Sequence, residues 1–446
     1  MRKLVARVLV CIMILGLLSG CGTKTTQEQQ GTSSEEKIDI AKGILPQKYK
    51  GTEINFASTS AQISKLTPEF EKATGIKVNV TTLDYVNLHK KIALDFASKK
   101  GEFDAIAYPY QWYGEFVGKN ENLVPLDEYA AKKGFPDLKL DDYIPAALDN
   151  YGKFNNKLYG LPLVGDVEFL MYNTKMFKEQ GIANPPKTWE ELVVNGQKLT
   201  IDNNKDGKID QYGFGLMGGR SAQAAGTFYN LFYANGGEVF NDKMKPQFNS
   251  AAGVKALTLM GQDLKKIAPP DSNTWDVPEN SNAFIQGKTA MSLFWPGSAG
   301  ATKDPAKSKV VDDVGFALSP NNSSLLGGWA LGISQYSKNK DATYLFISWL
   351  TSPEIQKKYA ELGGGPTRQS VLNDKDLVNK YPWFPTIAAN LAVAKPFPKI
   401  PESEEIIGII YEEANDVVTG TKTPQQGADT INSRVEKLMT EHGYYK

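Results

Sequence analysis

Residues 158–173 read LYGLPLVGDVEFLMYN. The stretch opens with a loop signal, Tyr159-Gly160-Leu161-Pro162, and closes in an apolar run, Phe169-Leu170-Met171-Tyr172, that suits a buried β-strand. Between them sit Gly165, Asp166 and Glu168. A carboxylate among such neighbours either has a buried partner or faces a cavity, because leaving it unpaired is costly. The stretch therefore reads as a crossover between two lobes, with Asp166 aimed into the cleft.

Upstream of it the chain alternates strand and helix. EINFA at 53–57 reads as a strand and is followed by Ser58-Thr59-Ser60 and a helical stretch to about Thr74. IKVNV at 76–80 alternates cleanly as a second strand, 85–99 carries a helical pattern, and FDAIA at 103–107 is a third strand. Strands at this spacing with helices between them predict a parallel sheet, whose carboxyl ends collect ligands. Those ends carry Ser58, Ser60, Tyr108, Gln111 and Trp112. Downstream, a short strand is expected at 214–217 and an aromatic helix at 228–233; 288–294 leads into Trp295-Pro296-Gly297-Ser298, and a strand begins from Gly327-Gly328-Trp329.

A chain of 446 residues exceeds one ordinary core, so two domains or one large two-lobed unit is expected. Lys+Arg and Asp+Glu are both 50, so no net field recruits nucleic acid. The chain has two histidines, His89 and His442, and two cysteines, Cys11 and Cys21. That scarcity argues against His or Cys catalysis and against a zinc site. No GxxxxGK[ST] loop is present, so nothing points to ATP hydrolysis by this chain.

Arg2, Lys3 and Arg7 precede an apolar core at 8–18 and then Leu18-Ser19-Gly20-Cys21. This resembles the lipobox of bacterial lipoproteins, with Cys21 as the lipid acceptor; the alternative is an ordinary secretory signal that ends in Cys. Residues 22–37 are polar and aperiodic and read as a flexible tether.

The opening strand, FEKATGIKV at 70–78, FDAIA, NLVPLDEY at 122–129, NKLYGLP at 156–162, MYN at 171–173 and NPPKTWEEL at 184–192 together resemble the extracellular sugar-binding proteins of ABC importers. The likeness runs from about residue 50 to the C-terminus. Its most specific piece is PPKTWEEL, where Thr188 and Glu191 form the pattern of a capping box.

The resemblance implies an α/β, two-lobed periplasmic-binding-protein-like (type II) fold with hinge crossovers. It divides the chain into a signal peptide (1–20), a lipidated Cys and tether (21–49), lobe 1 (50–165), lobe 2 (166–318), a return to lobe 1 (319–372) and C-terminal helices of lobe 2 (373–446). It implies a lipid-anchored monomer on the extracytoplasmic face of the cell membrane that captures a carbohydrate, an oligosaccharide in particular, and delivers it to an ABC permease. Asp166 matches the family's hydroxyl-binding acid, Tyr108 its stacking aromatic and Gln111 a neighbouring polar position. The family's downstream stacking aromatic would fall near Ile406 or Ile407, where this chain has none.

A sugar presents hydroxyls at its edge and C–H bonds on its face, so its site needs carboxylates and amides together with aromatic planes. Tyr108, Trp112, Trp295 and Trp329 are candidates for the face. Gln111, Asp166, Glu168, Asn173, Arg220, Arg368 and the hydroxyls of Ser58 and Ser60 are candidates for the edge. On a regular strand Asp166 and Glu168 would point to one side, suiting a polyhydroxylated ligand or, with Arg220 or Arg368, a charged one. Two alternatives remain: a receptor for a non-sugar solute with the same fold, and a surface glycosidase built on these two acids. A glycosidase, however, needs its carboxylates on opposite sides of the bond.

No cofactor is required by these readings. The loop at 202–210 nevertheless reproduces calcium-loop spacing, with Asp202, Asn204, Asp206 and Asp210 at oxygen-ligand positions, Gly207 at the turn and the Lys208 carbonyl at the seventh position. Gly213 stands where a bidentate Glu is expected. Structural calcium is one reading, and an Asx-rich turn capped by its own side chains is the other.

Overall fold

Three strands lead into alternating helices: β1 (Glu53–Ser58), β2 (Lys77–Thr82) and β3 (Ala105–Pro109). They belong to a computed structural model that describes residues 38–40, 47–132 and 134–445. The expected signal segment, Cys21 and the tether to residue 37 lie outside the described residues. β1 pairs in parallel with both β2 and β3, as the βαβ spacing predicts. Relative to the sequence reading, β2 begins one residue later and β3 two residues later. Helix Tyr85–Ser98 starts where expected because the Asp84 side chain accepts the Asn87 N–H.

A short hairpin, β4 (Lys153–Phe154) and β5 (Lys157–Leu158), precedes β6 (Leu161–Val164). The chain then leaves this sheet and forms β7 (Phe169–Asn173), which pairs antiparallel with β8 (Met291–Phe294) and β9 (Val314–Ala317). From β9 it returns as β10 (Trp329–Ile333), inserted antiparallel between β3 and β6. The first sheet thus has the order β2-β1-β3-β10-β6 and the second β8-β7-β9. The first is mixed rather than wholly parallel, because its fourth strand arrives from the other lobe.

The expected strand at 214–217 does not form; Gly215 makes only an isolated bridge to Ser292. The aromatic helix is longer than predicted, Ala222–Ala234, and packs against helix Ser403–Val418, which also covers helix Pro424–Glu441. Helix Trp189–Lys198 is capped as PPKTWEEL predicts on one side: Thr188 Oγ1 accepts the Glu191 N–H at 3.1 Å. Glu191 reaches one residue further back than a capping box requires, accepting the Lys187 N–H at 2.7 Å.

Each sheet is buried by its own apolar faces. Ile54, Phe56, Leu161, Leu331 and Ile333 are buried in the first lobe, and Phe169, Leu170, Met171, Leu293 and Phe294 in the second. The return crossing is glycine-dependent. A Cβ on Gly328, at φ +112°, would stand 2.1 Å from the Tyr151 ring, and one on Gly327 would meet Trp295 at 2.6 Å and the Asp166 Cβ at 2.9 Å.

Candidate functional site

The two crossings lie side by side between the lobes. Val167 and Leu326 form a bridge, and the Asp166 carbonyl accepts the Gly327 N–H at 3.0 Å and the Tyr151 hydroxyl at 3.1 Å. The Asp166 main chain is therefore fixed while its side chain is left over. Beside it lies a cavity of about 290 Å³. The ends of β1 and β3 contribute Ser58, Thr59, Ser60 and Ala107, the crossovers contribute Val164, Asp166 and Trp329, and the loop at 363–365 closes another side with three glycines. Gly297 is contributed from the second lobe, next to β8, and Gln62 and Tyr359 complete the polar wall.

Asp166 is half-buried, and among the described residues its carboxylate has no hydrogen-bond or ion-pair partner. Desolvation without compensation raises its pKa to about 7. The other polar groups are uncharged. Ser60 Oγ donates to Gln62 Oε1 at 2.9 Å and lies 3.4 Å from the Tyr359 hydroxyl. Burial pushes that phenol up to about 12, so it remains a donor at neutral pH. Among the described residues no Lys, Arg or His lines the cavity. One indole, one carboxylate and a set of hydroxyls and amides can grip a neutral polyhydroxylated molecule by edge and face.

Of the residues proposed from sequence, Ser58, Ser60, Asp166 and Trp329 are brought together at this cavity. Trp295 lies against the same crossing, near Asp166 across Gly327, with Nε1 donating to Gln223 at 2.8 Å. The others are placed elsewhere. Tyr108 is fully buried, donates to the Tyr113 hydroxyl at 2.8 Å and offers no ring face to the cavity; the β-strand alternation turns Ala107 there instead. Trp112 is buried with Nε1 on the Tyr85 hydroxyl and Glu404, and Gln111 donates to the same hydroxyl at 3.3 Å.

Glu168 departs most from its expected place. The chain at 165–168 is not regular strand, so the two-residue rule fails and Glu168 turns under helix Ala222–Ala234, where Asn230 donates to it. Burial raises its pKa to about 7. This also removes the carboxylate pair on which a glycosidase would rest. Arg220 is exposed and paired with Asp416 at 2.6 Å on the second lobe. Arg368 is buried, donates to the carbonyls of Thr351, Lys139 and Leu138, and lies 3.9 Å over the Tyr143 ring. It clamps main chain rather than ligand.

The sequence reading missed Gln62, Tyr359 and Gly297 as lining residues. Gln62 sits in a single 3-10 turn and Tyr359 on helix Pro353–Glu361, places that carry no loop or strand-end signal. The run Gly363-Gly364-Gly365 was visible as a loop, though not as a wall.

The 202–210 loop closes on itself. Asp202 accepts the N–H groups of Asp206 and Gly207, Asn204 that of Asp206, Asp206 that of Lys208, and Asp210 that of Asn203. Among the described residues no three acidic, His or Cys side chains converge as metal ligands. These hydrogen bonds are those of an Asx-rich turn capped by its own side chains.

Comparison with known proteins agrees with this architecture. A Sinorhizobium fredii protein named as a probable amino-acid ABC transporter periplasmic-binding protein is 37% identical over 414 residues, covering 91% of this chain and 94% of its own. The mannitol-binding protein of Pseudomonas aeruginosa is 26% identical over 417 residues, covering 86% and 92%. The crystal structure of an ABC transporter solute-binding protein from Agrobacterium radiobacter K84 in complex with ribitol superposes with a TM-score of 0.79 at 30% identity, over 87% of this chain and 99% of that one. The fold is the two-lobed type II periplasmic-binding-protein fold. Residues 54–357 match the bacterial extracellular solute-binding proteins, the solute-capturing components of ABC importers, and the chain belongs to that family.

Proposed function

We propose that this chain is the lipid-anchored receptor of an ABC importer that captures a polyol or a monosaccharide by closure of its two lobes, as a monomer, and delivers it to the permease. The observation that carries the ligand class is that, among the described residues, the Asp166 carboxylate beside a small cavity of neutral donors and the Trp329 indole has no cation with it. At about 290 Å³ the space is at the lower edge of the range of about 300–1,000 Å³ for drug-sized ligands, which favours one sugar-sized unit over the oligosaccharide expected from sequence. Relatives named for mannitol and solved with ribitol support the same class.

Ligand contacts from both lobes would stabilise the closed state, and that state is what a permease can recognise. Anchoring rests on the lipobox-like segment around Cys21. Among the described residues no helix is long and apolar enough to cross a membrane.

A second reading follows from the Sinorhizobium relative, named for amino-acid transport. An ammonium group would suit Asp166, but an α-carboxylate would find no cationic partner in the wall. A thermal-shift screen separates the two. Ribitol, D-mannitol, D-glucose and related single units should raise the melting temperature by mass action. A rise with amino acids and none with polyols or sugars would replace the first reading by the second.

A further inference from the structure

Trp329 has two neighbourhoods. One side of the residue lines the cavity. On the other it stands edge-on to Tyr85 (ring centroids 6.0 Å apart, planes at 89°) and to Trp112 (6.0 Å, 72°). Tyr85 opens the helix after β2 and Trp112 follows β3, so both belong to the first lobe. Glu404 lies in the first turn of helix Ser403–Val418, which packs on the second lobe. Its Oε1 accepts the Tyr85 hydroxyl at 2.7 Å and Trp112 Nε1 at 3.2 Å. One carboxylate oxygen therefore ties the lobes together beside the residues that flank Trp329.

The tie is well supported on the first lobe. Trp112 Nε1 and Gln111 Nε2 also donate to the Tyr85 hydroxyl, at 3.1 and 3.3 Å. His89 packs on Trp112 at 4.7 Å and holds Glu115 at 2.7 Å. Beyond Glu404 the helix carries Ile406 and Ile407, both buried, where the resemblance would place a second stacking aromatic.

We infer that Glu404, clasped by Tyr85 and Trp112 from the opposite lobe, closes the cleft beyond Trp329 and limits the ligand to a single unit. This rests on the polyol or monosaccharide reading above. A ligand that fits the cavity leaves the clasp intact. One that runs past Trp329 must break a charge-assisted hydrogen-bond pair and leave its donors without an acceptor, so the clasp discriminates by penalising the longer molecule.

The test is calorimetric titration of the full-length protein with two ladders, D-glucitol, maltitol and maltotriitol, and D-glucose, maltose and maltotriose. The wild type should prefer the single unit by about tenfold or more over its extended forms. Glu404→Ala should narrow that preference severalfold in the folded protein and lower the melting temperature by freeing the Tyr85 and Trp112 donors, whereas Glu404→Gln, which keeps an acceptor oxygen, should stay near the wild type in both. A preference that is unchanged in Glu404→Ala, or absent in the wild type, overturns the length filter while leaving single-unit binding in place. A wild type that binds no member of either ladder overturns the polyol or sugar reading, and the filter with it.

Discussion

The Tyr151 hydroxyl donates to the Asp166 backbone carbonyl at 3.1 Å, holding the residue by its main chain and leaving its carboxylate to the cavity. Replacing that carboxylate should therefore remove a ligand contact without loosening the crossover. Asp166→Ala is expected to weaken ligand binding by about 1–3 kcal/mol while the melting temperature of the free protein does not fall. Titration calorimetry beside a thermal melt checks both, and an unchanged affinity would take Asp166 out of the site.

Burial also sets a pH dependence. Asp166 and Glu168 are raised to about 7 from ordinary values of 3.8 and 4.5. Between those limits the folded state binds more protons than the unfolded one, so stability falls as pH rises through the window and the penalty is complete above it. Glu168→Gln should remove the Glu168 share. Its urea midpoint should correspond to a gain of about 1–3 kcal/mol near pH 8 and to no gain near pH 4. Ligand affinity should be unchanged, since Glu168 faces Asn230 and not the cavity. A loss of affinity in this variant would return Glu168 to the ligand site.

Arg368 gives a contrasting outcome. Its guanidinium satisfies carbonyls of Thr351, Lys139 and Leu138 and sits 3.6 Å from Asp142. Arg368→Met should cost roughly 3 kcal/mol or more of stability by leaving those acceptors buried and unpaired. Affinity per folded molecule should be retained. Selective loss of binding in a variant as stable as the wild type would contradict the clamp.

The Asp202 to Asp210 turn makes its own hydrogen bonds, so chelation should leave folding intact. A melt in excess EDTA is expected to match one in millimolar calcium. A calcium-dependent rise in melting temperature would instead assign the ion to this loop.

Much of the scaffold was legible because its signals are local. The alternation of 76–80, the helical pattern of 85–99 and the loop-then-strand pattern of 158–173 each depend on residues within one element. Asp166 was legible for the same reason, as a carboxylate out of place in an apolar run. What failed depended on register or tertiary partners. A shift of β3 by two residues did not expose Tyr108, because its ring had a better place against Tyr113 and Phe116. Glu168 was misplaced because the crossing is irregular, and Arg368 because its acceptors lie about 230 positions earlier in the chain at Leu138 and Lys139. Tyr359 and Gln62 reach the cavity only through the packing of their helices, which no periodicity records.

A neutral polyhydroxylated ligand held by the Asp166 carboxylate leaves a signature in the protons exchanged on binding. Binding through the charged carboxylate should lower its pKa and release protons when the titration starts near pH 6, below the free-state value. The decisive measurement is calorimetric titration of ribitol or D-mannitol near pH 6 in buffers of different ionisation heat, for the wild type and Asp166→Asn. Tight binding with proton release in the wild type, and weaker binding without release in the variant, is the predicted result. Equal affinity and equal proton release in the two proteins, or binding of an amino acid in place of any polyol or sugar, would contradict it.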